Sequence, residues 1–179
     1  MTEIQIVPVG GVDRDILDYL AVALSESIDA QCEVSDITLD PAIAFDTTRR
    51  QYNSSQILSI LLESGGNNGS GKLLGVADVD LFIPVLTFVF GEAQLNNRAA
   101  VASVYRLRQG FYGLPENERL FFERCEKESL HELGHAFGLD HCREWECVMH
   151  FSNSIEQVDL KAGVFCQRCA ANLKKGSPG

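Results

Sequence analysis

The strongest constraint on this chain is the run His131-Glu132-Leu133-Gly134-His135, followed after Gly138 by His141. Histidines four residues apart share one face of a helix, so both imidazoles reach the same point. Neutral imidazole nitrogen binds zinc at about 2.0–2.1 Å, a span two ligands one turn apart satisfy without strain. A helix therefore has to pass through this segment, and a third ligand requires that it stop soon afterwards. Gly138 provides the stop, because glycine takes the left-handed conformation that ends helices. His141 then lies three residues beyond the turn. Three histidine ligands leave one tetrahedral position open, the mark of a catalytic rather than a structural zinc site. Glu132 is placed to reach a water on the metal without ligating the metal itself. Given this chain's own residue frequencies, chance produces the five fixed positions at a rate on the order of 10⁻⁵ per chain.

The six cysteines, at 32, 125, 142, 147, 166 and 169, admit two readings. An even count is compatible with three disulfides, a pattern typical of short secreted chains. The close pairs Cys142-x4-Cys147 and Cys166-x2-Cys169 have instead the spacing of a closed, four-thiolate structural zinc site. The spacing favours metal, giving two zinc ions per chain, one catalytic and one structural. Cys32 and Cys125 stand apart and are expected to be small buried hydrophobes, the alternatives being a bridge between them or a reactive thiol.

The 179 residues suffice for one domain with a real core. With 15 Lys+Arg against 25 Asp+Glu the formal net charge is −10, which argues against a nucleic-acid binder. The apolar share of 45% argues against disorder. The most apolar uncharged stretch, Leu81–Gly91, falls well short of the ~18 residues that suggest a membrane span. Met1-Thr2-Glu3 leads into a strand-like run with no leader pattern, so a cytoplasmic, reducing location is expected.

The periodicity predicts a strand over Ile4–Val9, a helix from an Asp13 cap to about Ile28, and a strand over Cys32–Leu39. Asn53, with Gln56 three residues on, opens a helix to about Leu62. A Gly/Asn-rich loop covers Glu63–Lys72, and strands follow at Leu73–Ile83, Phe88–Leu95 and Ala99–Leu107. Pro115 is expected at the first turn of a long helix running to about Phe137. Lys174–Gly179 reads as a frayed basic tail. The order β-α-β-α-β-β-β-α indicates an α/β class, α+β-like chain: a mixed sheet with packed helices.

The full pattern His-Glu-x-x-His-x-x-Gly-x-x-His resembles that of the metzincin zinc peptidases, and Met149, eight residues after His141, matches their methionine turn. Cys142, Cys147 and the pair Cys166/Cys169 resemble the archaemetzincin branch, which carries a second zinc. The match covers residues 131–169. It implies a metzincin-type mixed twisted sheet, a long active-site helix and a small zinc-stapled C-terminal subdomain. The division implied is one catalytic domain over 1–179, with an N-terminal subdomain 1–141 and a C-terminal subdomain 142–179. It also implies a substrate cleft under an edge strand, for which Phe88–Leu95 is the candidate; a peptide adds to that strand through its backbone. Many metzincins place a tyrosine two residues after the methionine, whereas this chain has Phe151.

The expected function is a zinc-dependent metallopeptidase in which Glu132 is the general base. His131, His135 and His141 hold the catalytic zinc, Cys142, Cys147, Cys166 and Cys169 the structural one, and Met149 lies beneath the site. The alternative is a non-catalytic peptide- or protein-binding module on the same fold, which has no need of Glu132. The partner is a peptide or protein, not nucleic acid or membrane, and the chain is expected to be a monomer. The alternative for Met149 is a core filler, and His150 is read as an ordinary partly exposed residue, the alternative being a switch or substrate contact. Asp140 and Glu144 are read as surface carboxylates or as partners orienting a ligand histidine. Tyr105, Arg106, Arg108 and Tyr112 are read as packing and exposed residues or as cleft lining.

Overall fold

The computed structural model describes residues 2–65 and 71–176. The tip of the expected Gly/Asn loop, 66–70, and the last residues of the expected tail, 177–179, lie outside the described residues. Within them, the strands β1 (Thr2–Val9), β2 (Ala30–Val34), β5 (Lys72–Ala77), β7 (Gly91–Ala93) and β8 (Ala99–Ser103) form one sheet, in the order β2-β1-β5-β8-β7. All neighbours are parallel except β7, which runs antiparallel to β8 at the edge. A second sheet of three short strands orders β3 (Phe45–Asp46), β4 (Gln51–Asn53) and β6 (Leu81–Phe82).

Period-two burial decides what covers each face. Ile4 and Ile6 of β1, with Leu74 and Val76 of β5, face α1 (Arg14–Ile28) and α3 (Glu118–Ala136). Val7, Val9, Leu73 and Val101 point the other way, onto Leu58 and Leu61 of α2 (Ser54–Ser64). On the α3 side, β7 and β8 present only Gly91, Ala93, Ala100 and Ala102, which pair across the ladder. Such small residues let α3 lie close under the sheet edge.

Several sequence expectations need correction. The long helix begins at Glu118 rather than Pro115, because Asn117 is the cap and its side chain accepts from the Leu120 N–H at 3.1 Å. Glu116 instead accepts from the Gly110 N–H at 2.9 Å. The strand expected over Leu73–Ile83 is two strands in different sheets. Asp78 and Asp80 separate them, paired with Arg108 and Arg106. The strand expected over Cys32–Leu39 ends at Val34, and Leu39 rejoins β1 only through a single bridge to Val9. Phe88–Leu95 is an edge strand as expected, but only Gly91–Ala93 pairs with β8. Ala99–Leu107 turns into a 3-10 segment at Tyr105. The Asn53 cap is present, accepting from the Gln56 N–H at 3.2 Å. Two short helices not anticipated from sequence close the chain, α4 (Ile155–Leu160) and α5 (Gln167–Gly176).

The face of α3 that meets α4 is ionic. Arg124 donates to both carboxylate oxygens of Asp159 at 2.7 Å, and Lys127 donates to the carbonyls of Val158 and Asp159 at 3.3 Å. Lys161 donates to Glu128 at 2.8 Å, with side-chain exposures of 0% and 3%. Removing one member of such a pair leaves a buried charge without compensation, at a typical cost of about 3–5 kcal/mol. Lys161→Met is therefore expected to lower unfolding stability in urea by about 3 kcal/mol. Lys161→Met/Glu128→Leu should regain at least half of that loss. Wild-type stability in the single variant would remove this pair from the fold's support.

Candidate active site and metal centres

α3 ends as Gly138 predicts. Gly138 has φ +91°, its N–H donates to His135 O at 2.8 Å, and the Leu139 N–H donates to Gly134 O at 2.9 Å. This doubly bonded terminus turns the chain back so that His141 faces the helix. The ligand nitrogens of His131, His135 and His141 all lie within 4.8 Å of one another.

Two of these rings are oriented by backbone. His131 Nδ1 is 2.8 Å from Val148 O, and His135 Nδ1 is 2.7 Å from Leu139 O. A carbonyl only accepts, so each Nδ1 carries the proton and each Nε2 a lone pair. The two Nε2 atoms stand 3.1 Å apart. Lone pairs at that distance repel unless a cation lies between them. Two nitrogens bound tetrahedrally at about 2.05 Å would be roughly 3.3 Å apart, so the donor set fits zinc. Burial pushes His131 well below the usual imidazole range, and Lys161 pushes it the same way. Burial also lowers His135 and His141. All three are thus held neutral, the form that ligates metal.

Glu132 is 6% exposed. Burial raises its carboxyl well above the usual range, with Glu128 and Glu92 adding to the effect and Lys161 opposing it. A cation at the neighbouring histidines is the counter-charge that such a carboxylate needs. Its side chain is accommodated by Gly91: a Cβ there would lie 2.6 Å from Glu132 Cγ and 2.5 Å from Val101 O. Spacing along α3 gives no hint of this contact from β7.

Met149 is fully buried. A Cβ on Gly134 would lie 2.3 Å from Met149 Sδ, so the glycine between the two helix histidines makes room for the methionine. Above the histidines is a cleft of about 540 Å³. It is lined by the segment Leu86–Ala93, by Phe151, Ser152 and Asn153, and by Glu128 and Glu132 beside the three histidines. The Phe151 ring packs edge-on to His141, with centroids 5.2 Å apart. Tyr105, Arg106, Arg108 and Tyr112 are not among the cleft residues, although Arg106 lies 4.1 Å from the ring centre of Phe88, which is. Asp140 and Glu144 are exposed; the Nδ1 atoms of His131 and His135 are held by carbonyls instead.

The Sγ atoms of Cys142, Cys147, Cys166 and Cys169 form a second cluster within 4.8 Å. All six cysteines are free thiols, so the disulfide reading does not hold. Cys142 and Cys166 Sγ are 3.8 Å apart, close to the roughly 3.8 Å edge of a tetrahedron with Zn–S of about 2.3 Å. The Cys166 N–H points at Cys147 Sγ at 3.3 Å, and Arg168 reaches Cys142 Sγ at 3.2 Å. Cys166 sits at the start of α5, where the Cys169 N–H is the main cause lowering its thiol to about 7. Cys125 is buried in the core and Cys32 is half-buried, both away from the two clusters.

Fold and donor sets together define a zinc-dependent metallopeptidase. A sequence model of peptidase family M54 matches residues 38–175. The archaemetzincin of Pyrococcus abyssi is 40% identical over 98% of this chain and 96% of its own length. That of Methanocaldococcus jannaschii is 42% identical over 93% and 90%. The crystal structure of the Archaeoglobus fulgidus archaemetzincin superposes with a TM-score of 0.83 at 37% identity, covering 96% of this chain and 99% of that one. A zinc-dependent peptidase from Methanocorpusculum labreanum superposes with a TM-score of 0.87 at 27% identity, over 95% and 99%. The chain belongs to peptidase family M54.

Gly134→Ala gains about 1 kcal/mol of helix propensity but overpacks Met149 at a cost of about 1–3 kcal/mol. Its melting temperature is expected to fall, and Met149→Ala added to it should cost less than it does in the wild type. A Gly134→Ala variant of wild-type stability would show that the methionine moves aside freely.

Proposed function

We propose that this peptidase hydrolyses peptide bonds with Glu132 as general base. The observation that carries the reading is the pair of Nε2 lone pairs 3.1 Å apart, in the same cleft as the buried Glu132. His131, His135 and His141 hold the catalytic zinc. Zinc bound by three histidines lowers the pKa of water to ~7 and polarises a carbonyl. Glu132 takes the proton of the attacking water and delivers it to the departing amine. Desolvation strengthens its hold on that proton between the two transfers. The Ser103 N–H donates to Phe90 O and the Gln94 N–H to Ala99 O. By antiparallel alternation, Gly91 and Ala93 therefore turn their own N–H and C=O groups outward. A peptide pairs with these groups and is stretched across the histidines.

The four cysteines hold a second, structural zinc that folds residues 142–179 as a small subdomain on the 1–141 body, the whole forming one catalytic domain. Met149 supports the histidines from below as the methionine of the turn. The protein acts as a monomer in the reducing cytoplasm, which keeps the four thiols available to metal.

Glu132→Gln is expected to retain wild-type zinc while hydrolysis of a peptide library falls at least about 100-fold. Undiminished cleavage by that variant rules out Glu132 as the base. Metal analysis of Cys166→Ala should show one zinc per chain in place of two, with a lower melting temperature. Two zinc ions retained would refute the four-thiolate assignment.

A further inference from the structure

The loop between β8 and α3 turns rings toward water. Tyr105, Phe111 and Tyr112 are 38–42% exposed, and Leu114 is 55% exposed. The rings pack on one another edge to face, with centroids 5.6 Å apart for Tyr105 and Phe111 and 5.0 Å for Phe111 and Tyr112. The loop is also braced from within. Tyr112 Oη donates to Arg106 O at 2.9 Å, Gly113 turns the chain at φ +73°, and Glu116 accepts from the Gly110 N–H at 2.9 Å. An ordered loop that keeps contiguous apolar surface in water marks an interaction site.

This shelf is continuous with the catalytic cleft. The Arg106 guanidinium touches a ring of each, 4.1 Å from the centre of Phe88, which lines the cleft, and 4.8 Å from the centre of Phe111. Asp80 fixes that junction by accepting from Arg106 Nε at 2.5 Å and Nη2 at 2.7 Å. Phe88 stands three residues before β7, and Phe90 O accepts from the N–H of Ser103, the residue that ends β8 two positions before Tyr105. The shelf therefore lies off the end of the cleft at which β7 begins. Antiparallel pairing is the more stable kind per residue. A peptide paired so with β7 has the residues after its scissile bond at this end.

We propose that Tyr105, Phe111, Tyr112 and Leu114 form an exosite for the polypeptide substrate, taking an apolar segment C-terminal to the cleaved bond and beyond the reach of the cleft. The inference rests on the peptidase reading of the cleft and gives it a substrate class: chains that run on past the cleft rather than short peptides. Apolar side chains suit the shelf because they bury its rings without needing a polar partner.

The test uses one cleavable core peptide and two lengthened forms, each carrying about six extra residues with two leucines, a reach of roughly 20 Å, at the C-terminal or the N-terminal end. With wild type, the C-terminal extension should lower KM about ten-fold and the N-terminal one should leave it near that of the core. Phe111→Ser/Leu114→Ser should cut the ten-fold advantage to about two-fold or less, and Phe111→Leu should keep most of it. Fluorescence anisotropy of the labelled peptides on Glu132→Gln reads the same ranking without turnover. Equal KM for the core and the C-terminally lengthened peptide overturns the proposal, as does an advantage that survives Phe111→Ser/Leu114→Ser or comes from the N-terminal extension. So does a loss that falls equally on the core peptide or travels with a lower melting temperature. A dimer in sedimentation that Phe111→Ser/Leu114→Ser dissolves assigns the shelf to a second copy and overturns it too. A wild type that cleaves none of the three peptides overturns the peptidase reading itself, and this proposal with it.

Discussion

Two imidazole nitrogens, each with its other ring nitrogen tied to a carbonyl, face each other across 3.1 Å. Neither carries a proton to share, so the arrangement is stable only around a cation. Much of the molecule serves to hold it. α3 supplies both rings from one face. The turn at Gly138 supplies Leu139 O to one of them, and the returning chain supplies Val148 O to the other. The small residues of β7 and β8 let the helix approach near enough for Glu132 to slip beneath Gly91.

The two donor clusters are mechanically one. His141 and Cys142 are adjacent, and Cys142 is joined to the far side of the loop by its N–H to Met149 O at 2.9 Å. His150 Nδ1 bonds back to Cys142 O at 3.0 Å. Val148, whose carbonyl orients His131, donates its own N–H to Val164 O. Moving Cys142 or Cys147 therefore pulls on the carbonyl that fixes the tautomer of His131. In this arrangement the four-cysteine cluster braces the three-histidine cluster through the backbone that joins them.

Some of this was legible in the sequence and some was not, for physical reasons. The three histidines, Glu132, the four cysteines and the Gly138 terminus are set by local spacing, which a sequence displays directly. The Asn53 cap is similarly local. The helix start was misplaced because Pro115 and Asn117 both suit a first turn, and the choice depends on Glu116 being drawn to the Gly110 N–H. The break between β5 and β6 depends on ion pairs to Arg106 and Arg108, some 26–30 residues away. The ionic face of α3 looks like a solvated surface until α4 covers it. Gly91 and Gly134 read as ordinary glycines because the atoms that would collide with a Cβ come from elsewhere in the chain.

The same geometry bears on how the cleft holds a peptide. β7 is only three residues long, and alternation leaves just Gly91 and Ala93 to pair outward. At about 0.5–1.5 kcal/mol net per hydrogen bond, so short a ladder gives little affinity by itself. The rest has to come from the walls. Their apolar part is rigid: Phe88 and Phe90 pack edge to face with centroids 5.2 Å apart, and Arg106, itself held by Asp80, backs Phe88. Arg49 fixes the Leu86 and Thr87 carbonyls at the rim. A wall already ordered loses little entropy when a ligand arrives, so its contacts convert more fully into binding. Selectivity in this cleft then falls to fixed aromatic surface more than to an extended strand-to-strand ladder.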